Sequence, residues 1–441
     1  MKNIKVSESI LNHVSDVIED SRDELIELCQ KLVQTRSINP LSAGVDTEAE
    51  LGGEKRCNEI LRDVVAPLGA SIDMFEVELD RTNLVATFTG EGGGRSLIFN
   101  GHIDTVPVGN FDDWKWGNPF SGKIEQGRIY GRGACDMKGG LCAQVMAAKA
   151  IVSAGFRLRG DLLFESVVGE ETMSHELGTT AVIDRGYLAD GAIVSEPSGP
   201  PVNLAVEPSS CGLFWMRISC IGKSTHSSVR WHIMRPGGSG SKIGVNAIEK
   251  GVLILNALQQ LEQQWGITKT HPLFLPGQFT IHPGVIEGGP AGTPNPYIVS
   301  EYCQMDYAVW FPPHENSENV KKEIETYIQK AASLDPWLEK NPPKVEWMLH
   351  WPPFNVDVDF PLCTICAAAH ESATGTSAVF QGFTAVNDAA YLNARGIPAI
   401  TYGPGSILVA HAVNEFVDIE ELMIAAKTYA ISALEWCGVV A

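Results

Sequence analysis

The chain has 441 residues and a formal net charge of -20, with 44% hydrophobic and 20% charged residues. This length allows two or more domains, and the composition is that of an ordinary soluble globular protein. The acidic surplus argues against a nucleic-acid partner, because phosphate binding requires clustered lysine and arginine.

The first 34 residues lack the basic and then apolar pattern of a signal peptide, and no run approaches twenty uninterrupted apolar residues. We therefore expect no membrane partner and a cytoplasmic protein whose ten cysteines are reduced thiols. The single Cys-x-x-Cys segment, Cys363 to Cys366, lies in a helical pattern without a second pair. A redox or zinc role there is a minor alternative.

Strand and helix patterns alternate from the N-terminus to about residue 206, which predicts βαβ units and a mostly parallel sheet flanked by helices. Apolar residues recur at helical spacing in the segments 10–35, 54–68, 141–154 and 178–185. Short apolar runs predict strands at 71–78, 83–89, 97–100, 161–168 and 191–195.

Near Glu207 the pattern changes. Strands are predicted at 213–221, 278–287 and 299–310, and helices at 246–265 and 315–332. This order predicts a small antiparallel α+β domain, ferredoxin-like, inserted into an α/β domain. We expect the larger domain to comprise residues 1–206 and 335–441 and the inserted domain to comprise residues 207–334.

The segment Asn100-Gly-His-Ile-Asp-Thr follows the apolar run 96–99, which predicts a buried parallel strand. His102 and Asp104 therefore come just beyond a carboxyl strand end, where open α/β sheets place their chemistry. A neutral imidazole can bind a metal ion while a nearby carboxylate accepts the proton of its other ring nitrogen. Taken alone, a loop histidine beside a solvated acid is the simpler interpretation.

Further acids and one more histidine follow other predicted strands and loops, namely Asp136, Glu170, Glu171, Glu196 and His411. Two histidines and three carboxylates suit two zinc-like ions that share one carboxylate. Paired ions about 3.5–4 Å apart can hold a hydroxide and polarise a carbonyl. Because neighbouring side chains on an extended chain point in opposite directions, we expect one of the adjacent glutamates to bind metal and the other to act as general base.

Five segments together resemble the family of cocatalytic-zinc exopeptidases and deacylases, which includes carboxypeptidase G, aminoacylase, acetylornithine deacetylase and succinyl-diaminopimelate desuccinylase. They occur in the order of that family, between about Leu25 and Leu434. The segments are Asn100-Gly-His-Ile-Asp-Thr-Val-Pro, Gly131-Arg-Gly-Ala-Cys-Asp-Met-Lys-Gly-Gly, Gly169-Glu-Glu-Thr, Ser195-Glu-Pro and His411-Ala-Val-Asn-Glu.

The resemblance implies a role for each of these side chains. His102 and Glu196 would hold one divalent ion, Glu171 and His411 would hold the other, and Asp136 would bridge the two. Glu170 would be the general base, and Asp104 would orient His102. Zinc is the expected metal, with cobalt or manganese as alternatives.

The resemblance also implies that the inserted domain is a lid and dimerisation module, and hence that the protein is a homodimer. His226, in Gly222-Lys-Ser-Thr-His, matches a lid histidine that reaches the site of the partner subunit and donates to the oxyanion. A surface turn histidine is the simpler interpretation of His226 alone. Asn246 resembles an asparagine at the start of the lid helix that contacts substrate.

Two positions depart from the family. Relatives usually carry arginine where this chain has Ala308 and Ala390. Since a guanidinium binds a carboxylate with two parallel hydrogen bonds, the two alanines argue against an ordinary N-acyl α-amino acid as substrate. Arg230 and Arg235 are candidates to replace the missing clamp, and Trp231 is a candidate surface for an aromatic substrate. Solvated loop side chains are the simpler interpretation.

The sequence therefore predicts a metal-dependent hydrolase of an amide C–N bond. It would act through a metal-bound hydroxide on an N-acylated amino acid or a related small amide, as a deacylase. A dipeptidase or carboxypeptidase on the same scaffold is the first alternative. The second is a non-catalytic metal-binding relative, which would have lost a ligand or the base, and none is lost here.

Overall fold

The computed structural model describes residues 6–234, 240–290 and 295–440. They form two compact units. The first unit joins Met1–Ser210 to Phe354–Ala441, and the second is the continuous segment Cys211–Pro353. One unit is thus inserted into the chain of the other.

The helices of the described residues are α1 Glu8–Asp20, α2 Arg22–Gln34, α3 Thr47–Glu50, α4 Gly53–Val65, α5 Gly139–Ser153, α6 Thr179–Asp184, α7 Arg230–Met234, α8 Ala247–Thr268, α9 Ser317–Ala332, α10 Pro361–Thr374, α11 Ala389–Ala394 and α12 Ile419–Cys437. The segment 10–35, predicted as one helix, forms two, because Ser21 leaves the helical conformation between α1 and α2. Among the described residues, no helix has both the length and the apolar character that a transmembrane segment requires.

The strands are β1 Ser71–Glu76, β2 Thr82–Phe88, β3 Leu97–His102, β4 Lys123–Glu125, β5 Arg128–Tyr130, β6 Arg157–Leu158, β7 Leu162–Val167, β8 Ala192–Val194, β9 Ser209–Ser210, β10 Gly212–Ile221, β11 Ile281–Gly289, β12 Tyr302–Phe311, β13 Lys344–Trp351, β14 Phe354–Asn355, β15 Ala399–Thr401, β16 Phe416–Asp418 and β17 Val439–Val440.

The first unit is built on a six-stranded sheet of order β1-β2-β7-β3-β8-β15. Strands β7, β3, β8 and β15 pair in parallel, whereas β1, β2 and β7 pair antiparallel. Because the four parallel strands end at one edge, the loops that follow them converge there. This edge is where the sequence predicted the functional side chains.

Both faces of this sheet are covered. Leu84 and Ala86 of β2 join the large apolar core, to which helices α5 and α12 contribute, while Val85 between them packs with Val167 and Val182. Successive residues of a strand point to opposite faces, so this division places packed side chains on each side of the sheet. Helix α5 is buried along nearly all its length, which explains why its sequence is apolar on every side.

The second unit is a four-stranded antiparallel sheet of order β11-β12-β10-β13, and residues of α8 and α9 complete its apolar core. The sequence placed the end of this unit at residue 334, but the structure places it after Pro353. The correction has a simple cause. Strand β13 pairs with β10 over seven residues, so it belongs to the inserted sheet and not to the larger domain.

Candidate metal centre

His102 is the last residue of β3, and its side chain is almost completely buried. Its Nδ1 lies 2.9 Å from the main-chain carbonyl oxygen of Asp104. A carbonyl oxygen can only accept a hydrogen bond, so Nδ1 carries a proton in this contact. In the neutral ring, Nε2 then keeps its lone pair, as a metal ligand requires.

Asp136 lies between the two histidines. Its Oδ1 is 3.0 Å from Nε2 of His102, and its Oδ2 is 3.2 Å from Nε2 of His411. The residue sits on the turn Ala134–Lys138, directly before α5. A carboxylate that offers one oxygen to each histidine has the geometry of a bridging ligand between two ions.

Two groups of candidate ligands share this carboxylate. In the first, the ligand atoms of His102, Asp136 and Glu196 lie within 4.8 Å of one another, and the same holds for Asp136, Glu171 and His411 in the second. Oε1 of Glu196 is 3.4 Å from Nε2 of His102, and Oε2 of Glu171 is 3.0 Å from Nε2 of His411. The structure thus brings together all five side chains that the sequence proposed as ligands.

The charges of these groups fit bound cations. Burial, together with the charge of Asp136, raises the pKa of Glu196 to about 8 and also raises the pKa of Glu171. Burial disfavours the charged form of His411, but its contacts with Asp136 and Glu171 raise its pKa to about 11. Closely spaced buried carboxylates need positive charge, and two divalent cations held by imidazole and carboxylate would supply it.

Glu170 lies next to these side chains but belongs to neither group of candidate ligands. Its Oε2 is 4.0 Å from Nε2 of His102, and the residue is 9% exposed. Burial raises the pKa of Glu170 well above its ordinary value, and the charges of Glu196 and Glu171 also raise it. A carboxylate with a raised pKa, next to the ligands but not among them, can take up and return a proton.

The carboxylate of Asp104 has partners that differ from the expected one. Its Oδ1 is 3.6 Å from Nδ1 of His102, beyond hydrogen-bonding distance. Instead, Oδ1 accepts from the main-chain N–H of Gly169 at 3.0 Å, and Oδ2 accepts from the main-chain N–H of Glu171 at 3.2 Å and from the side-chain amide of Asn39 at 2.7 Å. Asp104 therefore orients the histidine through its main chain, while its side chain holds the turn that carries both glutamates.

The sequence analysis did not identify a buried ion pair, Arg132 with Glu415, beside the turn that carries Asp136. The carboxylate of Glu415 accepts from the guanidinium of Arg132 and from the main-chain N–H groups of Cys135 and Asp136. Both residues stand inside segments that carried the resemblance, Gly131-Arg-Gly and His411-Ala-Val-Asn-Glu. An arginine and a glutamate in segments otherwise devoted to the site were the available signal.

The sequence profile of Peptidase family M20/M25/M40 matches residues 98–435. The chain belongs to this family. The predicted family and enzyme class are therefore confirmed: this M20 protein is a metal-dependent hydrolase that acts on amide bonds.

Two relatives match the M20 protein over nearly all of its length. It is 34% identical over 449 residues to N-formyl-4-amino-5-aminomethyl-2-methylpyrimidine deformylase of Halalkalibacterium halodurans, which covers 99% of each chain. It is 33% identical over 434 residues to the Bacillus subtilis deformylase of the same name, covering 96% of each chain.

Two solved structures confirm the predicted fold class. Human carnosine dipeptidase 1 matches with a TM-score of 0.71 at 16% identity, over 97% of this chain and 99% of the other. A dinuclear metal-binding peptidase of the M20 family from Bacillus subtilis matches with a TM-score of 0.63 at 14% identity, over 94% of this chain and 98% of that one. At such identities the likeness concerns the fold.

In the second unit of the M20 protein, His226 lies on an exposed turn. Its Nδ1 is 2.7 Å from Oγ of Ser228 and 3.2 Å from the main-chain nitrogen of that residue. A main-chain N–H can only donate, so Nδ1 accepts and the neutral ring carries its proton on Nε2. This tautomer offers an N–H donor, which is what the predicted oxyanion contact requires.

The predicted substrate-binding side chains of the second unit have other partners. Asn246 caps the N-terminus of α8, where its side-chain oxygen accepts the N–H of Ile248 at 3.0 Å. Arg230 pairs with Glu249, and both side chains are exposed. Arg235 lies outside the described residues.

The Cys363–Cys366 pair is buried in α10, and both thiols are free. Burial raises the pKa of Cys363 to about 12 and also raises the pKa of Cys366. A thiol held in its protonated form is a poor nucleophile and a poor metal ligand, which argues against the alternative of a redox or zinc role.

Proposed function

We propose that this protein removes a formyl group from the amine nitrogen of a small molecule that carries a heteroaromatic ring. The substrate class is that of the N-formylated aminomethyl pyrimidine in the name of its full-length relatives. The observation that carries this proposal is 34% identity extending over 99% of both chains. The match covers the ligand-bearing strand ends and the inserted unit alike.

The two alanines support the same substrate class. Ala308 lies on β12, and Ala390 is buried in α11. Neither can pair with a carboxylate, whereas the arginine that relatives usually carry can. A formylated aminopyrimidine has no carboxylate, so its recognition needs no such clamp. The two departures from the family and the proposed substrate are therefore consistent.

Two divalent ions, with zinc as the proposed metal, would be held by His102 with Glu196 and by His411 with Glu171, with Asp136 shared. When bound, such ions lower the pKa of water and polarise a carbonyl oxygen. Imidazole and carboxylate donors around a shared carboxylate suit zinc.

The protein side chains would carry the proton. Glu170 takes a proton from the attacking water, whose oxygen forms a bond to the formyl carbon. The C–N bond then breaks, and Glu170 returns the proton to the leaving nitrogen. The second proton of the water stays on the acid, so the products are the free amine and formic acid, which ionises to formate. We propose that Nε2–H of His226, in a homodimer, donates to the developing oxyanion.

A substrate panel tests this function. The zinc-reconstituted enzyme would be assayed with the formylated aminomethyl pyrimidine, its N-acetyl analogue, N-formylmethionine, N-succinyl-diaminopimelate and a dipeptide. We expect kcat/KM for the formylated pyrimidine to exceed each of the others by about 100-fold, since about 2.7 kcal/mol separates a good transition-state fit from a poor one. A dipeptide or an N-acyl amino acid as the best substrate would refute the proposal and favour the exopeptidase alternative.

A further inference from the structure

Arg132 and Glu415 form an ion pair that is sealed from solvent. Arg132 is 2% exposed and Glu415 is fully buried. The two residues come together because β16, which follows Glu415, pairs with β5, which precedes Arg132. The pair therefore lies where the turn of Asp136 and the loop of His411 meet.

Glu415 fixes the main chain of the bridging ligand. Its Oε1 accepts the N–H of Cys135 at 3.0 Å and the N–H of Asp136 at 3.1 Å, while Oε2 accepts Nη1 of Arg132. The hydrogen bonds engage both carboxylate oxygens, so the carboxylate cannot rotate without losing one of them. The position of the Asp136 main chain is set by this contact.

Arg132 fixes the main chain of a terminal ligand. Its Nη2 donates to the carbonyl oxygen of His411 at 3.0 Å and lies 3.4 Å from that of Pro107. His411 has a φ of 61°, a conformation that non-glycine residues rarely adopt, and its side chain is 52% exposed. Such a residue depends on main-chain contacts to hold its ring in place.

We propose that Arg132 and Glu415 are positioning residues for the half of the metal centre formed by Asp136, Glu171 and His411. One rigid guanidinium and one carboxylate tie the bridging aspartate to the terminal histidine, although Asp136 and His411 are 275 positions apart in the sequence. The side chains of the pair hydrogen-bond to the main chain at Cys135, Asp136 and His411, so the pair acts through the ligands that it holds. This inference depends on the metal chemistry of the family and not on the identity of the amide.

The alternative is that the pair merely stabilises the fold, and the chain offers a matched control for this. Arg81 and Glu54 form a second buried pair in the same unit, with Nε to Oε2 at 2.9 Å and Nη2 to Oε1 at 2.6 Å. That pair joins α4 to the start of β2. Losing either pair leaves a buried charge unpaired, which is strongly destabilising, but of the two pairs it is Arg132 and Glu415 that hydrogen-bond to the main chain of the proposed ligands.

The experiment compares metal binding by the apo forms of Glu415→Gln, Arg132→Lys and the control Glu54→Gln. Zn²⁺ alone is titrated against a chromophoric chelator, bound zinc is counted by elemental analysis after dialysis, and Tm is recorded for each apoprotein. We expect Glu54→Gln to bind two ions with wild-type affinities despite a lower Tm. Glu415→Gln should hold its second ion at least tenfold more weakly than the wild type.

Arg132→Lys keeps the positive charge but loses the fork of donors. We therefore expect its affinity for the second ion, the one held by Glu171 and His411, to fall at least tenfold as well, and its affinity for the first ion to fall less. Since the two variants break the pair from opposite sides, either one that folds suffices for the test. Wild-type affinity for both ions in the folded variants would overturn the proposal. So would a loss of zinc in Glu54→Gln as large as in the other two at an equal fall in Tm.

Discussion

The metal-binding edge of the first unit and the surface of the inserted unit differ in how their functional side chains are held. At the edge, His102, Asp104 and Asp136 are buried and linked to main-chain groups or to other buried side chains. In the inserted unit, the exposed side chain of His226 contacts Ser228, two positions away, and that of Arg230 contacts Glu249, nineteen positions away.

This contrast has consequences for energy and for function. Buried charges interact with little screening by water, so a change in one of them is felt by the whole group. Exposed charges are screened, and an exposed ion pair is worth about 0–1 kcal/mol. We therefore expect large, coupled effects from substitutions at the edge and smaller, separable effects from substitutions in the inserted unit.

The largest effect is expected at Glu170. Glu170→Ala removes the proposed base but none of the five proposed ligands, so we expect kcat to fall by about 10³-fold while two zinc ions remain bound. Steady-state kinetics and elemental analysis measure the two quantities. Glu176→Ala is the control, because Glu176 is an exposed acid six residues further on and should leave kcat within about twofold. Substantial turnover by Glu170→Ala would exclude the role of base.

An intermediate effect is expected at His226, where His226→Ala should lower kcat by about 10²-fold through the loss of one oxyanion donor. Co-expression of Glu170→Ala with His226→Ala tests whether that donor serves another subunit. A mixed dimer then has one site with both Glu170 and His226 intact, and we expect activity well above that of either variant alone. No recovery in isolated mixed dimers would show that His226 does not act in trans.

The smallest effect is expected at Asn246, whose side chain caps α8. Asn246→Ala should lower the free energy of unfolding by about 1 kcal/mol, as measured by urea denaturation, since the N–H of Ile248 loses its acceptor. Asn246→Asp keeps an acceptor at the cap and should retain stability. If Asn246→Asp is stable but has a raised KM, the asparagine also contacts substrate. An unchanged KM would leave capping as its role.

The fold was predictable wherever side-chain pattern and strand order agree. The strand that ends at His102 and the helix α5 were both predicted from runs of apolar residues, and both are buried in the structure. The end of the inserted unit was not, because β13 has an irregular burial pattern and its membership depends on pairing with β10, more than a hundred residues earlier. Long-range pairing of this kind leaves little trace in local sequence.

In the site, too, local sequence predicted some features, and others depended on contacts that local sequence does not show. The five proposed ligands could be named from the sequence because each lies in one of the segments that resemble the family. The true partners of the Asp104 carboxylate could not, since main-chain N–H groups carry no sequence signal. Nor was the capping contact of Asn246 distinguished from substrate binding, because one asparagine in one position is compatible with both.

The most direct test of the account is to locate the metal ions by anomalous X-ray scattering from crystals of the zinc-reconstituted protein. We predict two anomalous peaks per chain, one contacted by His102 and Glu196 and the other by Glu171 and His411, with one oxygen of Asp136 on each. A single peak, or two peaks that do not share Asp136, would contradict it.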